Sequence, residues 1–121
     1  MKKIVLIEDE EILRKSLAYF LTSKSYLVLE FDNGLDAISY IEKEYPSIDL
    51  VITDLFLPFK GGHQVVQACK EIEGAQMPVM VLTASGVEET ELDLLNMGAD
   101  DFITKPFSPS VLLKRIEKLM A

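Results

Sequence analysis

The stretch Asp49-Leu50-Val51-Ile52-Thr53-Asp54 decides the fold of this chain. Leu50, Val51 and Ile52 form a short apolar run rich in β-branched residues, which reads as a strand buried on both faces, and the run stops on a carboxylate. Asp54 then stands at the C-terminal mouth of that strand. Ligands of open α/β sheets bind at those mouths, so an Asp there is a better chemical candidate than one elsewhere on the surface. Taken alone, it reads as a turn residue closing the strand.

Upstream of this stretch the chain alternates two periods. Ile4-Val5-Leu6-Ile7 is an apolar run, after which Ile12, Leu13, Ser16, Leu17, Phe20 and Leu21 recur at helical spacing, so a strand and then a helix are predicted. Tyr26 to Phe31 is a second strand. Asp32-Asn33-Gly34 punctuates it, and Leu35, Ala37, Ile38 and Ile41 resume a helical face that ends near Tyr45-Pro46. Downstream of Asp54, a longer loop from Leu55 to Gly62 leads into a helix with Val65, Val66, Ala68, Cys69 and Ile72 inward, closed by Gly74. Pro78 to Thr83 is the fourth strand. Ser85-Gly86 turns the chain into an acidic helix, Glu88 to Met97, ended by Gly98. Asp101 to Thr104 is a short fifth strand, broken by Lys105-Pro106, and Ser108 is the expected N-cap of a last helix lined by Val111, Leu112, Ile116 and Leu119. Five strands alternating with five helices, with no hairpin signal, imply right-handed crossovers and a parallel sheet covered on both faces. The expected architecture is a three-layer α/β sandwich in one domain, residues 1–121.

Composition narrows the function classes. In 121 residues, 49% apolar content is ample for one core. Twelve basic against twenty acidic residues give a net charge of -8, which argues against a phosphate-backbone footprint on nucleic acid. The lone Cys69 lies among apolar residues and reads as a buried, inert thiol, in keeping with a reducing cytoplasm. The run Ile4 to Ile7 is too short for a signal-peptide core, and no stretch approaches the ~20 apolar residues that span a bilayer, so no membrane partner is expected.

The strand mouths are where chemistry gathers. The first strand ends in Glu8-Asp9-Glu10, the second in Asp32, the third in Asp54, the fourth in Thr83-Ala84 and the fifth in Thr104-Lys105-Pro106. If the first and third strands are neighbours at a topological switch point, Glu8, Asp9 and Asp54 converge on one pocket, with a Thr hydroxyl and a Lys ammonium on its rim. Carboxylates ~5 Å apart repel by about 3 kcal/mol per pair at an effective dielectric of about 20, so such a pocket must protonate, recruit Lys105 or bind a cation. An all-oxygen donor set with room for water suits Mg²⁺, and a carboxylate can itself be the nucleophile of phosphoryl transfer.

These residues resemble a known family. Ile4-Val-Leu-Ile-Glu8-Asp9-Glu10, Asp49-Leu-Val-Ile-Thr-Asp54-Leu-Phe-Leu-Pro58, Val79-Met-Val-Leu-Thr83-Ala84 and Gly98-Ala-Asp-Asp-Phe102-Ile-Thr-Lys105-Pro106-Phe107 are similar, in order and spacing, to the receiver domain of two-component response regulators. The resemblance implies a flavodoxin-like (βα)5 sandwich with a parallel sheet of order 2-1-3-4-5. It also implies roles: Asp54 as phosphoacceptor; Glu8, Asp9, Asp54 and the Phe56 main-chain carbonyl as ligands of Mg²⁺ or Mn²⁺; Thr83, Ala84 and Lys105 around the phosphoryl group; Thr83 and Phe102 as a switch pair; and a cis bond at Lys105-Pro106. The implied partners are a sensor histidine kinase or histidine phosphotransfer protein and an output domain or downstream protein, with a phosphorylation-dependent homodimer also expected. Self-phosphorylation and self-dephosphorylation would be Mg²⁺-dependent, without the chain being an enzyme in the ordinary sense.

Four departures qualify that resemblance. Phe59-Lys60-Gly61-Gly62 stands where receivers often have Met-Asp-Gly, so the third helix lacks an acidic cap. Phe56 places an apolar group beside the path of attacking water, which implies a long-lived phosphoryl group. Phe102 lacks the hydroxyl of a Tyr. The fourth helix carries Glu88, Glu89, Glu91 and Asp93 but no basic residue, which weakens the homodimer expectation. The rival readings are a receiver-like interaction module that never takes phosphate and, further off, a small aspartyl-phosphate hydrolase. The hydrolase would want a second Asp where Phe56 stands.

Overall fold

Continuous apolar runs become the strands and 3.6-period stretches become the helices. A computed structural model describes residues 1–84 and 88–121, with Glu88 and Glu89 described in their backbone only. The turn expected at Ser85-Gly86, with Val87 beyond it, lies outside the described residues, as do the Glu88 and Glu89 side chains of the expected acidic face. In chain order the elements are β1 (Lys3–Ile7), α1 (Glu11–Ser23), β2 (Leu27–Phe31), α2 (Gly34–Glu44), a 3-10 turn (Tyr45–Ser47), β3 (Leu50–Asp54), α3 (Gly62–Glu71), β4 (Val79–Thr83), α4 (Glu88–Asn96), β5 (Asp101–Thr104) and α5 (Pro109–Leu119).

All four strand pairings are parallel and the sheet order is 2-1-3-4-5, the flavodoxin-like order. β3 lies at the centre, with Ile4 opposite Leu50 on one side and Asp54 opposite Leu82 on the other. Every residue of β3 and β4 is buried, while the edge strands β2 and β5 are mostly half-buried. That difference explains why the central strands read as unbroken apolar runs and β2 tolerates Glu30.

Alternate strand residues feed two cores. Ile4, Leu6, Leu50, Ile52, Met80 and Leu82 pack on Leu17 and Leu21 of α1 and Leu112 and Ile116 of α5. Val5, Ile7, Val51, Val79 and Val81 face the opposite layer, where Ala37 and Ile41 of α2, Val65 and Val66 of α3 and Leu94 of α4 cover them. Each such fully buried aliphatic side chain contributes roughly 2 kcal/mol of transfer free energy. Burial on both faces holds the sheet rigid, and the strand ends inherit that rigidity. Among the described residues, no helix is long and apolar enough to cross a membrane.

Some local expectations shift. Ile12, Leu35 and Val111, read as inward, are exposed by 82%, 47% and 48%. Each sits in the first turn of its helix on the outward side, while its neighbour Leu13, Gly34 or Leu112 takes the inward place. α3 stops at Glu71, and Ile72 is extended and half-buried, so Gly74 at φ +83° turns the connection after the helix instead of closing the helix itself. Ser108 occupies the N-cap position of α5 without a side-chain capping bond, leaving Pro109 to set the first turn. α3, which lacks an acidic cap, is instead served by Gln64, whose side-chain oxygen accepts the Gly61 N–H at 2.7 Å.

Candidate functional site

Three strand ends bring charge to one mouth of the sheet. β1 hands the chain to Glu8, whose N–H donates to the Phe31 carbonyl at 3.0 Å, extending the β1–β2 pairing by one bond. Its carboxylate, 1% exposed, turns into the protein: Oε1 accepts Lys105 Nζ at 2.7 Å and Oε2 accepts the Glu10 N–H at 3.2 Å. β3 ends on Asp54, which stays buried. One Asp54 oxygen accepts the Leu55 N–H at 2.8 Å, and the other lies 3.2 Å from Lys105 Nζ. Glu8, Asp9 and Asp54 each offer an oxygen within 4.8 Å of the other two, and among the described residues they form the one such acidic group. Asp32 and Glu10, also near strand mouths, stand outside it. Asp32 accepts instead from the Asn33 side chain at 2.8 Å.

The electrostatics follow from crowding. Partial desolvation at the rim raises the Asp9 carboxyl above its ordinary value of 3.8, and the adjacent Glu8 adds to this by accepting from the protonated Asp9 and by repelling its ionised form, even though the Asp9 side chain is exposed. Burial pushes the Lys105 ammonium down. The Glu8 hydrogen bond and the charges of Asp54 and Glu8 outweigh that, so its net shift is upward from 10.5. Lys105 is thus a cation that the two carboxylates keep charged. Three carboxylates still face a single ammonium, and an all-oxygen set with that excess fits a hard divalent cation.

The remaining residues singled out in the sequence take different places around the mouth, on the surface and in the core. Thr83 ends β4 and is fully buried, and its carbonyl accepts the Lys105 N–H at 2.7 Å, tying the β5 exit to the β4 exit. Ala84 is exposed at the mouth. Phe102 is half-buried and packs against the core under α2, α3 and α4. Phe56 projects outward, 72% exposed. The Lys105–Pro106 peptide bond is cis. Lys60 and His63 are exposed and belong to no acidic cluster. Cys69 is buried, its thiol pushed up to about 12 by that burial, and is chemically quiet.

Sequence reasoning missed the residues that hold the cluster in place. Gly62 donates its N–H to the Leu55 carbonyl at 2.8 Å and lies so close to β3 that a side-chain carbon there would stand 2.5 Å from the Asp54 carbonyl oxygen. Gly34 is pressed in the same way against the Lys60 main chain. Arg14 reaches from α1 to the Glu8 carbonyl at 2.9 Å. For the glycines the signal was present as residue type, while Arg14 fell on a helix surveyed for its apolar positions.

Comparison with known proteins agrees with this geometry. Residues 4–117 match the family model for the response regulator receiver domain. The regulatory protein VanRc of Enterococcus gallinarum is 37% identical over 116 residues, covering 96% of this chain and 48% of the relative. The phosphate regulon transcriptional regulatory protein PhoB of Escherichia coli is 35% identical over 120 residues, covering 98% of this chain and 52% of PhoB. The BeF3-activated N-terminal receiver domain of Klebsiella pneumoniae RstA superposes with a TM-score of 0.89 at 30% identity, covering 98% of each chain. The chain spans about half the length of the curated relatives it matches. With the fold, the acidic mouth and the match over residues 4–117 in agreement, the chain belongs to the response regulator receiver domain family.

Proposed function

We propose that Asp54 accepts a phosphoryl group from the phosphohistidine of a sensor histidine kinase or a histidine phosphotransfer protein. The observation that supports this most is the meeting of Asp54 with Lys105 at 3.2 Å inside a trio of carboxylates drawn from two strand ends. Glu8, Asp9, Asp54 and the Phe56 carbonyl would hold Mg²⁺ or Mn²⁺, which when bound supplies neutralisation of charge on the phosphoryl oxygens. An Asp54 carboxylate oxygen forms the new bond to phosphorus as the donor's P–N bond breaks, and that bond's electron pair remains on the imidazole nitrogen. Lys105 then turns its ammonium from Asp54 to a phosphoryl oxygen without leaving Glu8. The Thr83 hydroxyl and the Ala84 N–H donate to the others.

The signal follows from the added charge. Thr83 drawn toward the phosphoryl group vacates space that Phe102 fills, and the surface of α4, β5 and α5 changes shape. An output domain or downstream protein reads that change. Half of each curated relative lies beyond the matched region, which supports an output module as the reader. The described acidic residues of α4, Glu91 and Asp93, make a phosphorylation-dependent homodimer depend on α5, where Lys114, Arg115 and Lys118 supply the basic side. A cytoplasmic setting accords with the buried thiol of Cys69.

Incubation of the chain with Mg²⁺ and a small phosphodonor tests the reading. A one-phosphoryl gain in intact mass, absent in chelator, is expected, while no gain with any donor would favour an interaction module that never takes phosphate. The exposed Phe56 ring offers no group to orient the hydrolytic water. Phe56→Asn should shorten the phosphoryl lifetime on the order of tenfold, about 1.4 kcal/mol of barrier, and an unchanged decay rate would remove Phe56 from the hydrolytic step.

A further inference from the structure

The acidic turn between β1 and α1 is held from inside α1. Glu10 occupies the N-cap position of α1, yet no side-chain capping bond forms there. The restraint comes from one turn inside the helix. Arg14, with a side chain 12% exposed, sends Nη1 back to the Glu8 carbonyl oxygen at 2.9 Å and Nε to Glu30 Oε1 at 3.3 Å. Glu30 lies on the edge strand β2 and is held in turn by Lys15 Nζ at 3.1 Å. A guanidinium forked between a carboxylate and a main-chain carbonyl is pre-organised in a way that a single ammonium cannot match.

What Arg14 grips is a peptide plane. The Glu8 carbonyl and the Asp9 N–H belong to one rigid unit, so its rotation would swing the two acidic side chains relative to each other. Glu8 is fixed elsewhere by its N–H and by both carboxylate oxygens. Asp9, exposed at the rim, lacks that anchoring in burial and takes its direction from the plane that Arg14 holds. We propose that Arg14, steered by Glu30, is a positioning residue that sets the Glu8–Asp9 geometry and through it the affinity of the trio for a divalent cation. The proposal rests on the reading that Glu8, Asp9 and Asp54 hold such a cation. Groups that orient metal ligands from outside typically change affinity by about 10- to 100-fold when removed.

Calorimetric titration of the whole chain with Mn²⁺ tests it, alongside melting in chelator. Arg14→Ala should weaken binding about tenfold. Arg14→Lys should lose less, since an ammonium reaches the carbonyl but cannot also fork to Glu30. Glu30→Gln should weaken binding about threefold, a smaller loss than direct removal gives, with its melting temperature hardly moved. Wild-type affinity in both Arg14→Ala and Glu30→Gln overturns the proposal. So does a lower melting temperature of Arg14→Ala with unchanged affinity, which would make Arg14 merely structural. Asp9→Asn, run in parallel, separates the two readings: it should abolish most binding, and wild-type chain that binds no Mn²⁺ overturns the metal site itself together with this inference.

Discussion

In chelator, Lys105→Met is expected to lower stability by about 3 kcal/mol, close to 10 °C in melting temperature for a domain of this size. Lys105 is the cation between Glu8, at 2.7 Å, and Asp54, at 3.2 Å. Removing it leaves the 1%-exposed Glu8 carboxylate bonded to one main-chain N–H and facing two like charges. Breaking a buried pair in this way costs about 3–5 kcal/mol, and the 20% exposure of the Lys105 side chain places the effect at the low end. Supplying Mg²⁺ should recover most of the loss, because a chain with one cation fewer in the pocket gains more from binding another. The same pairing has a pH signature. With its folded-state pKa raised above 10.5, Lys105 contributes fully below that value, and the contribution is lost as pH rises through the folded-state pKa. Wild type and Lys105→Met should therefore converge in stability at strongly alkaline pH. Equal melting temperatures in chelator at neutral pH would show that Lys105 does not carry the pocket's charge balance.

Gly34→Ala should destabilise by about 3 kcal/mol, as measured by urea unfolding. On propensity alone the change would favour α2, since Ala exceeds Gly by about 1 kcal/mol in a helix. Packing opposes it. A Cβ on Gly34 runs into the Lys60 carbonyl carbon and oxygen, which are backbone and cannot swing aside as a side chain would. The loop has little room to retreat: Gly34 donates its N–H to the Pro58 carbonyl at 3.3 Å, and Phe59 and Lys60 are already left-handed at φ +48° and +83°. Because this loop runs from Leu55 to Gly62, which packs on the Asp54 carbonyl, the variant should also slow phosphorylation of the fraction that stays folded. A stability within about 0.5 kcal/mol of wild type would mean that the loop yields freely and does not brace the site.

Much of this architecture was legible because continuous apolar runs, clearest in the fully buried β3 and β4, alternate cleanly with stretches of 3.6-residue period. The direction of the strands then separated two otherwise similar residues. Asp49, at the start of the β3 stretch, accepts the Lys3 N–H at 2.7 Å and ties two strands together, while Asp54, at its end, enters the pocket. Pattern reading was weakest where a long-range packing relation decides the outcome. Ile12 and Val111 carry the apolar identity of core residues but face outward, while the adjacent Leu13 and Leu112 pack inward. Gly34 and Gly62 looked like turn punctuation, whereas both are places where two stretches of backbone touch. Arg14 looked like one charged residue on an amphipathic helix, and its partners, Glu8 and Glu30, come from two different strand segments that only the fold brings within reach.

The position of the phosphoryl group on the chain is the sharpest measurement available. After incubation with Mg²⁺ and a small phosphodonor, fragmentation mass spectrometry should place one phosphoryl group on Asp54, and Asp54→Ala should gain none. A group located on Glu8 or Asp9, or an equal mass gain in Asp54→Ala, would contradict the assignment of Asp54 as the acceptor.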